Sequence, residues 1–299
     1  MIYITGATGR LGNEVLRLVS KAIPLVRKKS NLRNEIVTDF SKSDLKKILK
    51  NANAVIHLAG SMDFLDHHRL WETNVKLTER IVDSLPKNAK IIFASSISVY
   101  GKNLNKNPAD ENTKINPDTP YAKSKYLAEE IVKKHKNHVI LRIGTIYGKS
   151  FDDYYMVLRL IETGRMYILG EGKNKVSFVN VKNIARAIKN AIKKGRGLYV
   201  VSGEAKTQQE ILGIASKYLK VNAPAQKAPV SFALMFAQAE EIKARIEKRK
   251  PKITQEHVLI LSSNREFDCK RAEKELKFRP FGIEKGIREM VIDMKNHKK

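Results

Sequence analysis

The sequence predicts an α/β fold: a doubly wound parallel sheet joined to a smaller, mostly helical C-terminal lobe. Three observations carry that expectation. Short apolar runs alternate with amphipathic helical stretches through the first two thirds of the 299 residues, as parallel strands require, because each crossover between them needs a helix. A glycine-rich turn, Thr5-Gly6-Ala7-Thr8-Gly9-Arg10-Leu11-Gly12, follows the first of those runs. Beyond Gly203 the pattern is mostly helical, with Pro224, Pro229, Pro251 and Pro280 marking breaks.

The first strand is expected over residues 1–5 and the first helix over 10–20, with Leu11, Val15, Leu18 and Val19 on one face. Between them Gly6, Gly9 and Gly12 follow the spacing G-x-x-G-x-x-G. One glycine turns the chain and one lets the backbone approach a pyrophosphate. The third lets the helix pack on the strand with its N-terminal N–H groups facing the phosphates. The turn therefore points to a phosphate-bearing dinucleotide. Further strands are expected near 23–27, 35–38, 53–58, 90–95 and 138–143, with helices near 42–50, 69–85, 120–136 and 151–163. A strand near 176–180, a helix to about 193 and a strand near 197–201 follow. Thr207 and Glu210 have the spacing that caps a helix start.

These elements divide the chain into a dinucleotide-binding domain over 1–148, to which 176–201 returns, and a substrate-binding lobe built from 149–175 and 202–299. In that lobe a helix near 230–249 is apolar first (Phe232, Leu234, Met235, Phe236, Ala239) and basic later (Lys243, Arg245, Lys248, Arg249, Lys250). It suits packing as a lid, closure on a hydrophobic ligand, or contact with an anionic membrane.

The formal net charge is +26, which raises nucleic acid or an anionic membrane as a partner. Its distribution argues against nucleic acid. Residues 240–299 hold 17 Lys and Arg against 11 Asp and Glu, so the excess is spread along the chain rather than gathered in an arm, and no stacking aromatics interleave with it. No apolar run is long enough to cross a bilayer, and no signal pattern opens the chain, so a cytoplasmic protein without stable membrane insertion is expected. The single Cys269 cannot form an internal disulfide, which agrees with a reducing compartment. His67 and His68 lack partners at ligand spacing, and no metal is expected.

Two further segments carry chemistry. Ile91 to Ser96 is an apolar run ending in hydroxyls, which puts Ser96 at the carboxyl end of a strand, where open parallel sheets bind ligands, and in reach of a reacting oxygen. Tyr121 and Lys125 lie four residues apart on a helix that follows Pro117 and Pro120. They share a face, so an ammonium beside the phenol would favour phenolate and allow proton exchange with a carbonyl near neutral pH.

Taken together these segments resemble the extended short-chain dehydrogenases/reductases, the NAD-dependent epimerase/dehydratase superfamily with its Rossmann fold. The matches run in family order: the glycine turn, Asp39-Phe40, His57-Leu58-Ala59-Gly60, Asn74-Val75, Ser95-Ser96 with Val99-Tyr100-Gly101, Tyr121 with Lys125, and Leu141-Arg142 with Ile146-Tyr147-Gly148. The resemblance implies that Tyr121 is the acid/base and that Lys125 holds the nicotinamide ribose and lowers the Tyr121 pKa. It implies that Ser96 orients the substrate oxygen and that Asn74 supports the site. Gly6, Thr8, Gly9, Arg10, Leu11 and Gly12 would hold the pyrophosphate, Asp39 and Phe40 would flank the adenine, and Leu58, Ala59 and Gly60 would line the cleft. His57 would do no chemistry.

An acidic residue after the second strand would bind both ribose hydroxyls and repel a 2′-phosphate, but Arg27 stands there, followed by Lys28. NADP is therefore favoured, with Arg27 and Lys28 pairing the phosphate, and NAD is the other option. Dehydratases of this type carry Thr-Asp-Glu where this chain has Ser96-Ile97-Ser98, which argues against dehydration. The segments Val176–Ala185 and Arg265–Pro280 resemble the 3β-hydroxysteroid dehydrogenase and dihydroflavonol reductase branch. Hydride transfer to or from a carbonyl or secondary alcohol is the first expectation. A nucleotide-sugar epimerase that keeps its cofactor bound is the alternative, and a non-catalytic NAD(P)-binding sensor or assembly protein is a third. A small-molecule carbonyl or nucleotide-sugar substrate and a homodimer are expected as partners, with peripheral membrane contact left open.

Overall fold

The computed structural model describes residues 1–62, 66–149, 151, 153–247, 249, 251 and 253–296. Its strands are β1 (Ile2–Thr5), β2 (Ala22–Val26), β3 (Ile36–Val37), β4 (Ala54–His57), β5 (Lys90–Ser96), β6 (His138–Ile143), β7 (Thr145–Tyr147), β8 (Ile168–Leu169), β9 (Lys175–Asn180), β10 (Gly197–Val201), β11 (Ala205–Thr207) and β12 (Lys227–Ala228). Seven of them form one parallel sheet in the order β10-β6-β5-β4-β1-β2-β3. The chain winds outward from β1 to β3, then returns to add β4 on the other side. The order reverses between β1 and β4, which opens a crevice beyond their carboxyl ends. Every residue of β4 is buried, as a central strand covered on both faces must be.

The helices are α1 (Arg10–Leu18), α2 (Lys42–Leu49), α3 (His67–Trp71), α4 (Leu77–Ser84), α5 (Pro120–Lys133), α6 (Asp153–Glu162), α7 (Val181–Lys193), α8 (Gln208–Leu219), α9 (Val230–Ile246), α10 (Gln255–Leu261), α11 (Lys270–Leu276) and α12 (Ile283–Asn296). On one side of the sheet Ile4 and Ile92 pack with Val15 of α1 and Ile184 and Ile188 of α7. On the other, Val55 and Ile91 pack with Leu45 of α2, Ile81 of α4 and Val132 of α5. A separate cluster unites Leu158 of α6, Leu212 of α8 and Met290 of α12 in the C-terminal lobe.

The expected elements through residue 201 are present, and four features differ. The helix expected over 69–85 is interrupted: α3 and α4 flank a π-helical turn over Glu72–Lys76. The strand at 175–180 does not return to the main sheet. It forms a three-stranded sheet with β7 and β11, so only α7 and β10 rejoin the seven strands. The two- and three-residue strands β7, β8, β11 and β12 have no counterpart in the sequence pattern, because so few residues carry no periodicity. Finally, α9 ends at Ile246 and turns Phe232, Met235, Phe236, Ile242 and Ile246 outward, while Ala237 and Ala244 face the body of the protein. Lys248 and Lys250 lie outside the described residues.

Candidate active site

The cradle at the end of β1 is shaped by what a side chain would hit. Gly6 has φ +69, and a Cβ there would stand 2.6 Å from Ala59 N and 2.7 Å from the Leu58 carbonyl carbon. At Gly12 a Cβ would stand 2.7 Å from Ala7 Cα and closer still to the Gly6 oxygen. The turn can therefore sit against the end of β4, and α1 against the turn, only with glycine at both places. Gly9 donates its N–H to the Gly6 carbonyl at 3.1 Å and serves as N-cap without a side-chain bond. With no acid in the first turn of α1, its N–H groups face the crevice uncompensated, a fit for a pyrophosphate. Thr8, Gly9 and Arg10 are exposed there, Arg10 lying 4.9 Å over the Phe151 ring, while Leu11 packs against the core.

Arg27 and Lys28 directly follow β2 and are exposed. Asp39, past β3, accepts from the Ser41 N–H at 2.7 Å, and that bond leads the effects holding its carboxyl below the usual range. Phe40 departs from expectation. Its backbone has φ +58 and its ring is buried with Leu45 and Leu49, so only its main chain can border an adenine.

A buried hydrogen-bond chain links this cradle to the residues expected to be catalytic. The Ala59 N–H donates to Thr5 Oγ1 at 3.2 Å, Thr5 Oγ1 and His57 Nδ1 are 2.7 Å apart, His57 Nε2 and Thr78 Oγ1 are 2.9 Å apart, and the Thr78 hydroxyl donates to the Asn74 carbonyl at 2.7 Å. Because the Thr78 proton is committed to that carbonyl, His57 donates through Nε2 and accepts from Thr5 at Nδ1. Burial, then the nearby Lys125 charge, pull the imidazole down to about 3, so it stays neutral and structural. The π turn aims the Asn74 side chain inward. There it accepts from the Ser61 N–H at 2.7 Å and donates to Ser61 O at 3.0 Å and Ser124 Oγ at 2.9 Å. Ser124 in turn donates to the Tyr121 carbonyl at 2.8 Å.

Thr119 caps α5 by accepting from the Ala122 N–H at 3.1 Å, which starts the helix just before Tyr121. The Tyr121 hydroxyl is hydrogen-bonded to Ser96, whose Oγ accepts from the Ser98 N–H at 3.1 Å. Burial pushes the phenol up to about 12, opposed by the Ser96 bond and aided by the Glu256 carboxylate of α10. The lowering by Lys125 expected from sequence is thus not what this arrangement yields. Lys125 is buried with its ammonium 4.2 Å over the Phe93 ring, and burial pulls it down to about 8 against the opposing pull of Glu129. A Cβ on Gly60 would lie 3.3 Å from Asn74 Oδ1 and 3.9 Å from Lys125 Nζ, so Gly60, Asn74 and Lys125 share one wall.

Ser96, Tyr121, Asn74 and Lys125 are therefore gathered beside the crevice that Gly6 and Gly12 shape. Sequence reasoning missed Ser124, whose small polar side chain inside the Tyr121–Lys125 interval was the available signal. It also missed Glu256, for which spacing offers none. The buried pair of Arg142 with Glu129, at 2.8 and 3.1 Å, backs the site: Ser95 also donates to Glu129, and the Arg142 guanidinium lies 4.8 Å over the Tyr100 ring.

Residues 2–202, which include every one of these groups except Glu256, match the model of the NAD dependent epimerase/dehydratase family. The chain belongs to that family. Its members are enzymes of the extended short-chain dehydrogenase/reductase type, epimerases, dehydratases and dehydrogenases among them. A similar curated protein is the N-acetyl-alpha-D-glucosaminyl-diphospho-ditrans,octacis-undecaprenol 4-epimerase of Escherichia coli O157:H7, 25% identical over 96% of this chain and 92% of that protein. The 3beta-hydroxysteroid-dehydrogenase/decarboxylase isoform 1 of Arabidopsis thaliana is 24% identical over 87% of this chain and 66% of its own length. Among solved structures, the UDP-glucuronic acid 4-epimerase of Bacillus cereus in complex with NAD shares the fold, with a TM-score of 0.76 and 18% identity over 100% of this chain and 99% of that one. The dehydrogenase-like and epimerase-like readings of the sequence thus both find relatives, and the epimerase reading accords with them best.

Proposed function

We propose that this family member interconverts the C4 epimers of a hexose carried on a diphosphate, using a nicotinamide dinucleotide held at the glycine turn. The observation that carries the reading is the half-buried Tyr121, its hydroxyl hydrogen-bonded to Ser96 beside the crevice, in a chain similar along almost its whole length to a diphosphate-linked sugar 4-epimerase. A bound nicotinamide supplies the acceptor for the C4 hydride and its donor when it returns to the opposite face. Tyr121 takes the O4 proton as the alcohol becomes a ketone and gives it back as the ketone is reduced, while Ser96 donates to that oxygen. Lys125 places its charge beside Gly60, toward a nicotinamide ribose. The uncapped start of α1 receives the cofactor pyrophosphate, and Lys173 and Lys175 offer point charges to the substrate diphosphate.

Arg27 and Lys28 support the phosphorylated cofactor, NADP. Both stand exposed at the end of β2, where a 2′-phosphate would meet two cations instead of a carboxylate. Elimination would need its own acid and base, and the chain has Ile97 and Ser98 in their place. The same reading pairs two copies through α4 and α5, alongside which Trp71 and Leu127 are exposed.

The Arabidopsis relative favours a second reading, net transfer of hydride to a carbonyl. Incubation with UDP-linked glucose, galactose and their N-acetylamino forms separates the two. Appearance of the 4-epimer without net change in reduced cofactor is the expected result. Stoichiometric cofactor oxidation with a ketone, and no epimer, would replace it with the second reading.

A further inference from the structure

The helix α9 carries its large apolar side chains on the outside. Over its 17 residues, about 26 Å of length, the inward arc holds Ala237 and Ala244, both buried, and the carboxylates Glu240 and Glu241. Those acids are engaged within the lobe: Glu240 takes the Arg249 guanidinium at 2.6 and 3.2 Å, and Glu241 accepts from the backbone and side chain of Gln255 at 3.1 and 3.0 Å. The outward arc holds Phe232, Met235, Phe236, Ile242 and Ile246, from 56% to 77% exposed. At 100° per residue these fall, with Ala239, within one 120° stripe that no carboxylate interrupts. Exposed Lys243 falls inside the stripe, between Phe232 and Phe236, where its long stem can carry the ammonium out to a headgroup, and exposed Arg245 stands beyond the Ile242 edge. A helix packing as an ordinary lid would show the reverse arrangement.

We propose that this face docks on an anionic lipid bilayer. Charge selects the occupant. The apolar stripe would enter the acyl boundary while Lys243, Arg245 and the +26 excess of the whole chain meet lipid phosphates. A second copy seated on this face would bring Lys243 and Arg245 against their own counterparts, which disfavours it. Among the described residues no helix is long and apolar enough to cross a membrane, so contact through α9 is peripheral. The face is tied to the chemistry through α10, which packs on α9 and presents Glu256 toward Tyr121. Docking would thus hold the substrate side of the crevice near the membrane surface. On the function proposed above, but not for the docking itself, a sugar diphosphate anchored in that membrane becomes the substrate within reach.

The test is flotation of the full chain with vesicles of phosphatidylcholine containing phosphatidylglycerol, against vesicles of phosphatidylcholine alone, at low salt. Two variants go with it, one with Phe232→Ser, Met235→Ser and Phe236→Ser together and one with Lys243→Glu and Arg245→Glu. Expected are binding to the anionic vesicles that salt weakens, and a loss of about tenfold or more in each variant, with circular dichroism and cofactor binding unchanged. Absence of flotation by the wild type, equal flotation by the variants, or a sedimenting dimer that the triple variant dissociates would overturn the proposal. None of these readouts needs turnover, so docking and epimerisation can fail separately.

Discussion

Tyr121 answers two demands that pull apart. Burial, and after it the Glu256 charge, outweigh the Ser96 hydrogen bond and push its hydroxyl up to about 12, which suits delivery of a proton to a carbonyl oxygen. Taking the proton back from an alcohol needs the phenolate favoured, and of the protein groups acting on Tyr121 the Ser96 hydrogen bond is the one that does so. Lys125 is itself poised: at about 8 its ammonium loses its proton as pH climbs through that value. Cofactor affinity should therefore be full below about pH 8 and decline above it. Fluorescence titration of the cofactor across that range checks this, and Lys125→Arg, whose charge persists, should abolish the decline; a decline that survives in Lys125→Arg would refute the assignment. Arg27 has an equally direct consequence. Arg27→Asp should weaken NADPH about tenfold or more while leaving NADH nearly unchanged, and equal effects on both would mean it is a surface cation only. The identity of these residues was readable because i, i+4 spacing and strand-end position are local properties. The direction of the Tyr121 shift was not, because it depends on Glu256, 135 residues away in sequence, and on burial. Nor was the burial of Phe40, which follows from a left-handed backbone at a residue that rarely adopts one.

At the scale of elements, the main strands and most helices were legible because runs of four or more residues repeat their period. The π turn over Glu72–Lys76 was not. Its extra residue shifts the face of the helix so that Asn74 reaches Ser61 and Ser124, a local widening that a 3.6-residue pattern hides. Behind the site, β6 and α5 are joined by the Arg142–Glu129 pair, whose side chains are 4% and 0% exposed. Removing one partner leaves a buried charge unmatched, so Glu129→Leu should cost about 3–5 kcal/mol in urea unfolding. Adding Arg142→Met to that variant should restore much of the loss. A cost below about 1 kcal/mol for the single change would show that the pair contributes little to holding the site.

The whole molecule combines a frame that periodicity reveals with a lobe that it does not. Sheet order follows from the alternation of strands and helices and the handedness of their crossovers. The lobe instead depends on contacts between distant short segments: β9 pairs with β7 and β11 rather than rejoining the main sheet, and α9 shows its apolar face to the outside. The even spread of the +26 charge, bland as a sequence feature, gains direction only once that outward stripe is seen. What unites the two parts is the phenol, positioned by the frame through Asn74 and Ser124 and acted on by the lobe through the Glu256 charge. Tyr121→Phe removes that one oxygen while leaving the glycine turn and Lys125 in place. Its turnover, measured beside its content of bound cofactor, should fall by about a hundredfold or more with the cofactor retained; turnover equal to that of the wild type would contradict the central role given to Tyr121.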